Sequence, residues 1–519
     1  METLKKKEKA ADILWKILLC VFAFLLAAVI VACVMETQDG LPVASMALYP
    51  LAGLLIVLVI ALAGVRAEKF LKKYEKYLLP LFFLVYTVAM VRFTLHSRGI
   101  PQNDQELLIL GAKYMAGLSD EMNWSYFGRW NHNIMPMIFL SIVFRIATFF
   151  HMEDGYYLAL VLNYIQVLAV LYCVYRLGYR YSGHGVVSAW LSMGMTAIFI
   201  PIWGHTQALY TDAFSFGFGI IAFYLWLHSY EKKEGKKAIF CRITAGLIWA
   251  VGFEIKATAV IPLIAVILYL AFFESGKVLL KNLLCLLPPL LLIAAVCSAY
   301  IRTLPSNDYA DSWGVPPIGY FVGVGLEGNG SFDSESEYFR GVTGIGGMDE
   351  KKKFSNAFIR EHLDRFLDPD HMIAKARVNF ATGVMRADDF MMEAEHNGFL
   401  YNCISYQGAY GETYRLYVTS YWYMLLEWIV IGCVLCALRR RKNRGKEDVS
   451  VFVPIVSVCG IMLYVMIFEA NNRQLYNHIP MIFCSAGIGI WFLVDVIERR
   501  LQKRNAMNRQ RNEGTKEYL

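Results

Sequence analysis

Residues 17–34 read ILLCVFAFLLAAVIVACV and contain no charged side chain. A helix of this length is about as long as the hydrocarbon core of a bilayer is thick. Apolar runs of similar character follow at 47–63, 78–91, 279–300, 421–438 and 451–468. One such run would anchor a protein in a membrane, whereas this many make the bilayer the main solvent of the chain.

The composition agrees with a membrane protein, because 57% of the residues are hydrophobic and only 18% are charged. We therefore predict an all-α polytopic membrane protein with roughly 11–13 transmembrane or re-entrant helices. The eleven cysteines lie almost wholly inside apolar runs, where cysteine packs as a small hydrophobe. Even the CxxC of Cys433 and Cys436 falls in such a run, so we expect packing there rather than zinc or redox chemistry.

The formal net charge of +7 reflects membrane topology. Lysine and arginine gather in short polar segments between the apolar runs, at 5–9, 69–76, 232–237 and 439–444. Basic segments of this kind mark cytoplasmic loops. We therefore expect no nucleic acid partner, an uncleaved first span surrounded by membrane lipids, and both termini in the cytoplasm.

A count of spans from a cytoplasmic N-terminus meets one conflict. If 134–150 and 156–175 both crossed the bilayer, the basic segment 232–237 would lie outside the cell, against the charge rule. We infer that one of these two segments is re-entrant or lies along the interface. An interface position suits the first, because it is short and carries Pro136 and Arg145.

Four regions follow from this reading. Residues 1–300 form an N-terminal membrane domain whose external loops, 96–132 and 203–212, face the outside. Residues 301–415 form an external loop or lid, with glycine-rich turns at 323–330 and 341–347 and an amphipathic helix at 351–366. Residues 416–498 are C-terminal membrane helices, and 499–519 are a basic cytoplasmic tail.

Acidic residues stand out in the two external loops. Asp104 and Glu106 begin an amphipathic surface helix, and Asp212 lies in a polar break between apolar segments. Ionisable groups at a membrane boundary are costly unless they are paired or used in function. The alternative is that Asp104 and Asp212 are only helix caps.

Two cations are predicted on the same external side, where the charge rule disfavours them. Lys256 follows one apolar segment, and Arg473 lies in the short break between two others. They either snorkel to lipid headgroups or bind an anionic ligand such as a phosphate.

The order of these residues resembles that of the C-type-fold (GT-C) membrane glycosyltransferases. The resemblance rests on Asp104 at the head of a surface helix, Tyr126-Phe127 before a helix with Asn133 and Pro136, Tyr-Thr-Asp at 210–212, Lys-Ala-Thr at 256–258 and the late Arg473. The similar branch is family 39-like, which includes the protein O-mannosyltransferases and the aminoarabinose transferase of lipid A.

The loop 320–330 is also similar to a Met-Gly-Leu-Asn-Gly-Asn-Gly pattern of a Gram-positive bacterial branch of that family. The chain departs from the family in two places. Asp104 follows three spans instead of one, and a Lys-Pro pair common after the surface helices is absent. The phosphate-binding role of that pair would pass to His132 or Arg129.

The resemblance implies inverting transfer of a sugar from a polyprenyl phosphate to an extracytoplasmic glycan, lipid or protein. Asp104 would be the general base. Asp212 would orient the acceptor or, with Asp104 and Glu106, hold a divalent cation such as Mg²⁺ or Mn²⁺. Lys256 and Arg473 would clamp the lipid phosphate, and Tyr210 would contact substrate.

Two other functions remain open. A transporter or flippase would also need many spans, and a polysaccharide polymerase or ligase is a nearer enzymatic alternative. Carriers usually show repeated halves with charges inside the spans, whereas these acids gather at one external face. The sequence shows no P-loop and no strand–GxGxxG–helix unit, which is consistent with a lipid-linked donor.

Overall fold

The computed structural model of the chain describes residues 2–35, 41–97, 101, 103–152, 155–232, 235–381, 410–439 and 448–516. Within these ranges every regular element is helical, which confirms the predicted all-α architecture. The first helices are α1 (Glu2–Met35), α2 (Val43–Ser97), α3 (Asn103–Ala116), α4 (Trp124–Arg129), α5 (Ile134–Phe149), α6 (Gly155–Gly178), α7 (Gly185–Ala197), α8 (Ile200–His205), α9 (Thr211–Ser215), α10 (Phe218–Glu231), α11 (Lys236–Ile255), α12 (Ile261–Phe273) and α13 (Gly276–Ile301). The remainder are α14 (Ser306–Trp313), α15 (Pro317–Leu326), α16 (Glu337–Gly344), α17 (Met348–Glu361), α18 (Pro369–Phe380), α19 (Gly411–Leu438), α20 (Val449–Ile467) and α21 (Ile479–Lys516).

The helices form a polytopic membrane domain. Among the described residues, 10 helical segments are long and apolar enough to cross a bilayer. Two shorter apolar segments, Gly185–Ala197 and Ala257–Phe273, accompany them. Together these segments fall within the predicted number of transmembrane or re-entrant helices.

Side-chain contacts define two sides of this domain. On one side, which we call the site side, α3 and α9 begin and α11 ends. On the opposite side, the guanidinium of Arg180, just after α6, pairs with the Glu231 carboxylate at the end of α10, with Nη2 2.7 Å from Oε2. Contacts near each end of a helix place that end on one of the two sides, and so show in which direction the helix runs through the domain.

Helix α5 begins and remains on the site side. Gly111 of α3 abuts Met137 of α5, and the Arg145 guanidinium of α5 donates to the backbone carbonyl of Met115 at the end of α3. The two helices thus run side by side from the same starting point. This arrangement agrees with the interfacial position predicted for 134–150.

Helix α6 does cross the domain. Near its start, the Tyr156 hydroxyl donates to the backbone carbonyl of Gln207 at 3.2 Å, on the site side. Its other end is held on the opposite side by the pair of Arg180 and Glu231. One crossing between residues 155 and 178 removes the conflict with the charge rule.

The predicted loop between the second and third spans is wrong in its secondary structure, because 66–76 is helical within the 55-residue α2. No glycine or proline occurs between Gly64 and Pro80, and the Ala, Arg, Glu, Lys and Leu residues there are good helix formers. The charges were therefore an incorrect signal of a chain break, and the membrane boundary at these residues stays a prediction.

Both ends of α2 nevertheless lie towards the site side. Gly53 packs against Met424 of α19, and Thr94 shares a hydrogen bond with Tyr164 of α6. The middle of α2 lies on the opposite side, where Glu68 contacts His184. A straight helix of this length would measure about 80 Å, far more than one crossing requires. We infer that α2 supplies both crossings predicted for 47–63 and 78–91.

The region predicted as an external loop contains the five helices α14–α18. Helices α15, α16 and α17 share a small core that includes Tyr320, Tyr338, Val342 and Phe358. The remainder of the predicted loop, including Cys403 in 382–409, lies outside the described residues, as do 233–234 and 440–447 of the basic segments. The region boundaries stay a prediction.

The two glycine clusters predicted as turns are partly helical. Gly323 lies in α15 against the ring of Tyr338, and Gly341 lies in α16 against the ring of Phe354. A Cβ at either position would overlap an aromatic ring, so these glycines permit close helix packing. The turn proper begins after Leu326.

A histidine fastens three elements together on the opposite side. His184 precedes α7; its Nδ1 lies 2.6 Å from Oε2 of Glu68 in α2, and its Nε2 lies 2.7 Å from Oε2 of Glu498 in α21. Ionised carboxylates only accept hydrogen bonds, so both ring nitrogens donate and the ring is an imidazolium. Burial lowers the pKa of His184, but the two hydrogen bonds outweigh it and the pKa is raised overall.

We expect His184→Gln to destabilise the protein on the order of 1–3 kcal/mol near pH 6, because two charge-assisted hydrogen bonds are lost. The folded-state pKa is raised, so this stabilisation is complete below about pH 6.5 and disappears as the pH rises through the folded-state pKa. Thermal unfolding in detergent from pH 6 to 9 would measure the gap between variant and wild type. A gap that does not change with pH would contradict a charged His184.

Candidate functional site

Four of the predicted residues lie at chain breaks that meet on the site side. Asp104 is in the first turn of α3, Asp212 is in the first turn of α9, and Lys256 directly follows α11. Arg473 lies in a 3₁₀ segment, Asn472–His478, between α20 and α21. Helix ends at one boundary therefore bring together residues that are far apart in the sequence.

Asp104 is held by two tyrosines. The Tyr126 hydroxyl donates to Oδ1 at 2.9 Å, and the Tyr210 hydroxyl donates to Oδ2 at 3.1 Å. Asn133 in turn donates from Nδ2 to the Tyr126 hydroxyl at 2.7 Å. The carboxylate is only partly buried, so it has a fixed orientation and remains accessible. Each oxygen also keeps acceptor capacity for a further donor.

The sequence analysis did not predict Tyr126 and Asn133 as site residues. It used them only as part of the motif order that carries the family resemblance. Their signal was the spacing of an aromatic residue and an amide seven positions apart, the first within the short α4 and the second just after it. That spacing places both side chains against the first turn of α3. If Asp104 were only a helix cap, its carboxylate would accept hydrogen bonds from backbone N–H groups of α3. Instead it accepts them from the side chains of Tyr126 and Tyr210, which belong to two other segments.

Asp212 is almost fully buried, with 2% of the residue exposed. The Lys256 ammonium donates to its Oδ1 and neutralises it. Burying one of these charges without the other would be strongly unfavourable. Lys256, predicted to clamp a phosphate, is thus engaged first by an acidic side chain of the protein.

Arg473 lies against the same group. Its guanidinium carbon is 5.7 Å from the centre of the Tyr210 ring, a cation–π distance, and its charge interacts with that of Asp212. Tyr210 therefore contacts both the Asp104 carboxylate and the Arg473 guanidinium. The Asp104 carboxylate and the Arg473 guanidinium are therefore separated by a single side chain.

Glu469 is a further acid at the site that the sequence reading missed. It lies in the break before Arg473 and interacts electrostatically with Arg473, Lys256 and Asp104. Burial raises the pKa of Glu469, and the two cations oppose this in part. Arg473 stood out in this break because basic residues are disfavoured on the external side of a membrane. The same rule does not disfavour an acid there, so Glu469 gave no signal in the sequence.

The remaining predicted residues are dispersed around this cluster. Glu106 is exposed, and because it is two residues from Asp104 it points about 200° away around α3. The Arg129 guanidinium stacks on Trp313, 5.1 Å from the ring centre. The His132 ring is 5.7 Å from that of Phe321, and its charge interacts with those of Asp104 and Lys256. Arg129 and His132 thus face the α14–α15 region beside the site.

Of the three acids predicted to hold Mg²⁺ or Mn²⁺, Asp104 and Asp212 have separate partners in the structure, and the cation itself stays a prediction. The Asp104 oxygens accept from tyrosines, Asp212 is paired with Lys256, and Glu106 points elsewhere. Across the described part of the chain, no group of three or more His, Cys, Asp or Glu side chains is arranged to hold a metal ion. We assign no chemical step to a metal.

Helix α18 attaches the glycine-rich segment 323–330, which we call the glycine loop, to the site. His371 contacts the carbonyl oxygens of Gly328 at 2.9 Å and Gly325 at 3.2 Å, and the Lys375 ammonium donates to Gly325 O at 2.6 Å. Burial lowers the pKa of Lys375 to about 7, with Glu469 opposing the shift.

The same helix holds the segment before Arg473. Asn379 donates from Nδ2 to the Val465 carbonyl at 3.1 Å and accepts from the Asn471 backbone at 3.0 Å. The Ala470 backbone donates to the Gly330 carbonyl at 2.7 Å. The glycine loop and the arginine segment are therefore joined both directly and through α18.

The chain belongs to a family of integral membrane proteins, since residues 3–490 match the family model described as "Conserved hypothetical integral membrane protein". No curated protein matches the chain. Among solved structures, the archaeal oligosaccharyltransferase AglB from Archaeoglobus fulgidus, in complex with an inhibitory peptide and a dolichol-phosphate, matches with a TM-score of 0.40 and 14% identity. The match covers 84% of this chain but 52% of that protein, so the chain spans about half of its length.

We expect Lys256→Met to lower the free energy of unfolding by about 3–5 kcal/mol, because the buried Asp212 charge loses its partner. Denaturant titration in detergent would measure the loss. Lys277→Met, at an exposed lysine that begins α13, is the control and should change little. The double change Lys256→Met with Asp212→Leu should recover much of the loss, and a double variant as unstable as the single one would contradict the pairing.

Proposed function

We propose that this integral membrane protein is an inverting glycosyltransferase that moves a sugar from a polyprenyl-phosphate donor to an extracytoplasmic acceptor glycan, lipid or protein. The proposal rests on one observation above all. An accessible carboxylate, Asp104, and a guanidinium, Arg473, are held by the same tyrosine at the boundary of a membrane domain. The resemblance of the motif order to C-type-fold glycosyltransferases supports the same reaction.

In this reaction the acceptor oxygen attacks the anomeric carbon of the donor from the face opposite the phosphate. The bond between that carbon and the phosphate oxygen breaks, and its electron pair leaves with the polyprenyl phosphate. Asp104 takes the proton of the acceptor hydroxyl. Tyr126 and Tyr210 orient its carboxylate so that a remaining lone pair faces the acceptor.

The leaving phosphate gains negative charge as the bond breaks, and a fixed cation stabilises that charge. Arg473 fits this role because a guanidinium binds two phosphate oxygens at once. Lys256 acts mainly on Asp212, so its effect on the phosphate is electrostatic and indirect. Arg129 and His132 lie beside the site, against Trp313 and Phe321. In the proposed reaction they contact the acceptor or the outer part of the donor.

Charge supports an extracytoplasmic position for the site. The site side holds the polar region of α14–α18, whereas the basic residues 69–76 and the basic C-terminal end of α21 lie on the opposite side. Because basic segments are retained in the cytoplasm, we place the site outside it.

A cysteine at Asn329 should therefore react with a membrane-impermeant maleimide in intact cells, in a background whose native cysteines are replaced. A cysteine at Lys277 should react only after the membrane is permeabilised. Both positions are exposed in the structure. The reverse pattern would place the site in the cytoplasm.

We expect Asp104→Asn to reduce sugar transfer by at least about a hundredfold, because the amide cannot accept the acceptor proton. Purified protein with a synthetic prenyl-phosphate sugar and envelope extracts as acceptor would measure it. Glu106→Gln is the matched control on the same helix and should keep near wild-type activity. Equal losses in both variants would show that charge on α3, and not a base at Asp104, is required.

Arg473→Lys should lower kcat/KM for the donor about tenfold or more, because an ammonium cannot replace a forked contact with two phosphate oxygens. Arg473→Ala should lower it further and should also lower kcat, since the phosphate charge grows in the transition state. Arg302→Ala, at an exposed arginine just after α13, is the control. An unaltered kcat/KM for donor in Arg473→Ala would exclude this role.

A further inference from the structure

A cavity of about 480 Å³ opens on the opposite side of the domain, far from the proposed reaction site. It lies where α10 ends and α11 begins. His228 and Lys232 line it from α10, and Lys236, Lys237 and Phe240 line it from α11. Neither the motif order nor the proposed transfer reaction uses these residues.

The cavity is lined mostly by apolar surface and is bordered by three lysines. Its three lysines are exposed, and none of them takes part in an ion pair with another residue that the structure describes. Glu231, the acid beside them, is already paired through both carboxylate oxygens with the Arg180 guanidinium.

An apolar strip continues from the cavity along α11. Phe240, Ile243 and Leu247 are exposed by 70%, 40% and 40%, and their spacing of three and four residues puts them on one face of the helix. In a bilayer this face contacts acyl chains. Phe240 belongs to both the cavity and the strip, so the two surfaces are continuous.

We infer that this cavity binds the headgroup of an anionic phospholipid of the adjacent leaflet, with its acyl chains along α11. The lysine ammonium groups would contact the phosphate oxygens, as basic pockets between membrane helices do. The apolar strip favours a lipid over a soluble phosphate, because only a lipid has chains to occupy it. The inference is independent of the proposed function, since it concerns other residues on the other side of the membrane.

Native mass spectrometry of the full-length protein in detergent tests it, with phosphatidylglycerol and phosphatidylcholine of identical chains as probes. Wild type should bind phosphatidylglycerol at least about tenfold more tightly than phosphatidylcholine. The triple variant K232Q/K236Q/K237Q should lose that preference. The control K69Q/K72Q/K73Q removes as much charge on the same side, at α2, and should keep it.

Two outcomes would overturn the inference. Equal loss of preference in both triple variants would show that the lipid responds only to net charge on that side. Displacement of the lipid by millimolar glycerol 3-phosphate, which has the phosphate but no chains, would identify a soluble phosphate site instead. Phe240→Ser offers a second variant that leaves the charge intact, and it should weaken lipid binding without affecting the thermal unfolding temperature.

Discussion

The arrangement of the site depends on one buried charge. Asp212 begins α9 inside the membrane domain, where an ionised carboxylate is tolerated only beside a cation. Lys256 satisfies it, and this contact ties the start of α9 to the break between α11 and α12. Tyr210, two residues before Asp212, is then in place to reach Asp104, and Arg473 stacks on its ring. This ion pair therefore helps to set the distance between the Asp104 carboxylate and the Arg473 guanidinium, the two groups to which we assign the proposed reaction.

The sequence was sufficient for the membrane class, the helical architecture and the positions of the main charged residues. Charge is visible in a sequence because the bilayer makes misplaced charge expensive, and Asp104, Asp212, Lys256 and Arg473 all stand out on that ground. The partner of each charge was not visible. That Lys256 holds Asp212 instead of facing a ligand follows from where α9 and α11 pack together, which no local pattern reports.

Other features were missed for the same reason. Tyr126 and Asn133 are common residues in membrane helices, and only the fold shows that they support Asp104. The basic segment 66–76 was taken as a loop because its charge marks a boundary, yet charge and helical hydrogen bonding are independent properties. The topological conflict was visible from charge alone, because the parity of crossings constrains all later helices at once.

The attachment of the glycine loop has a mechanical consequence. His371 and Lys375 hold its carbonyl groups, while Asn379, on the same helix, holds the segment that leads to Arg473. The loop is therefore not a flap hinged independently of the membrane domain. Displacing it would pull α18 and shift the segment that carries Arg473. If the proposed function holds, closing the loop over a lipid-linked donor and positioning the guanidinium would occur in a single movement.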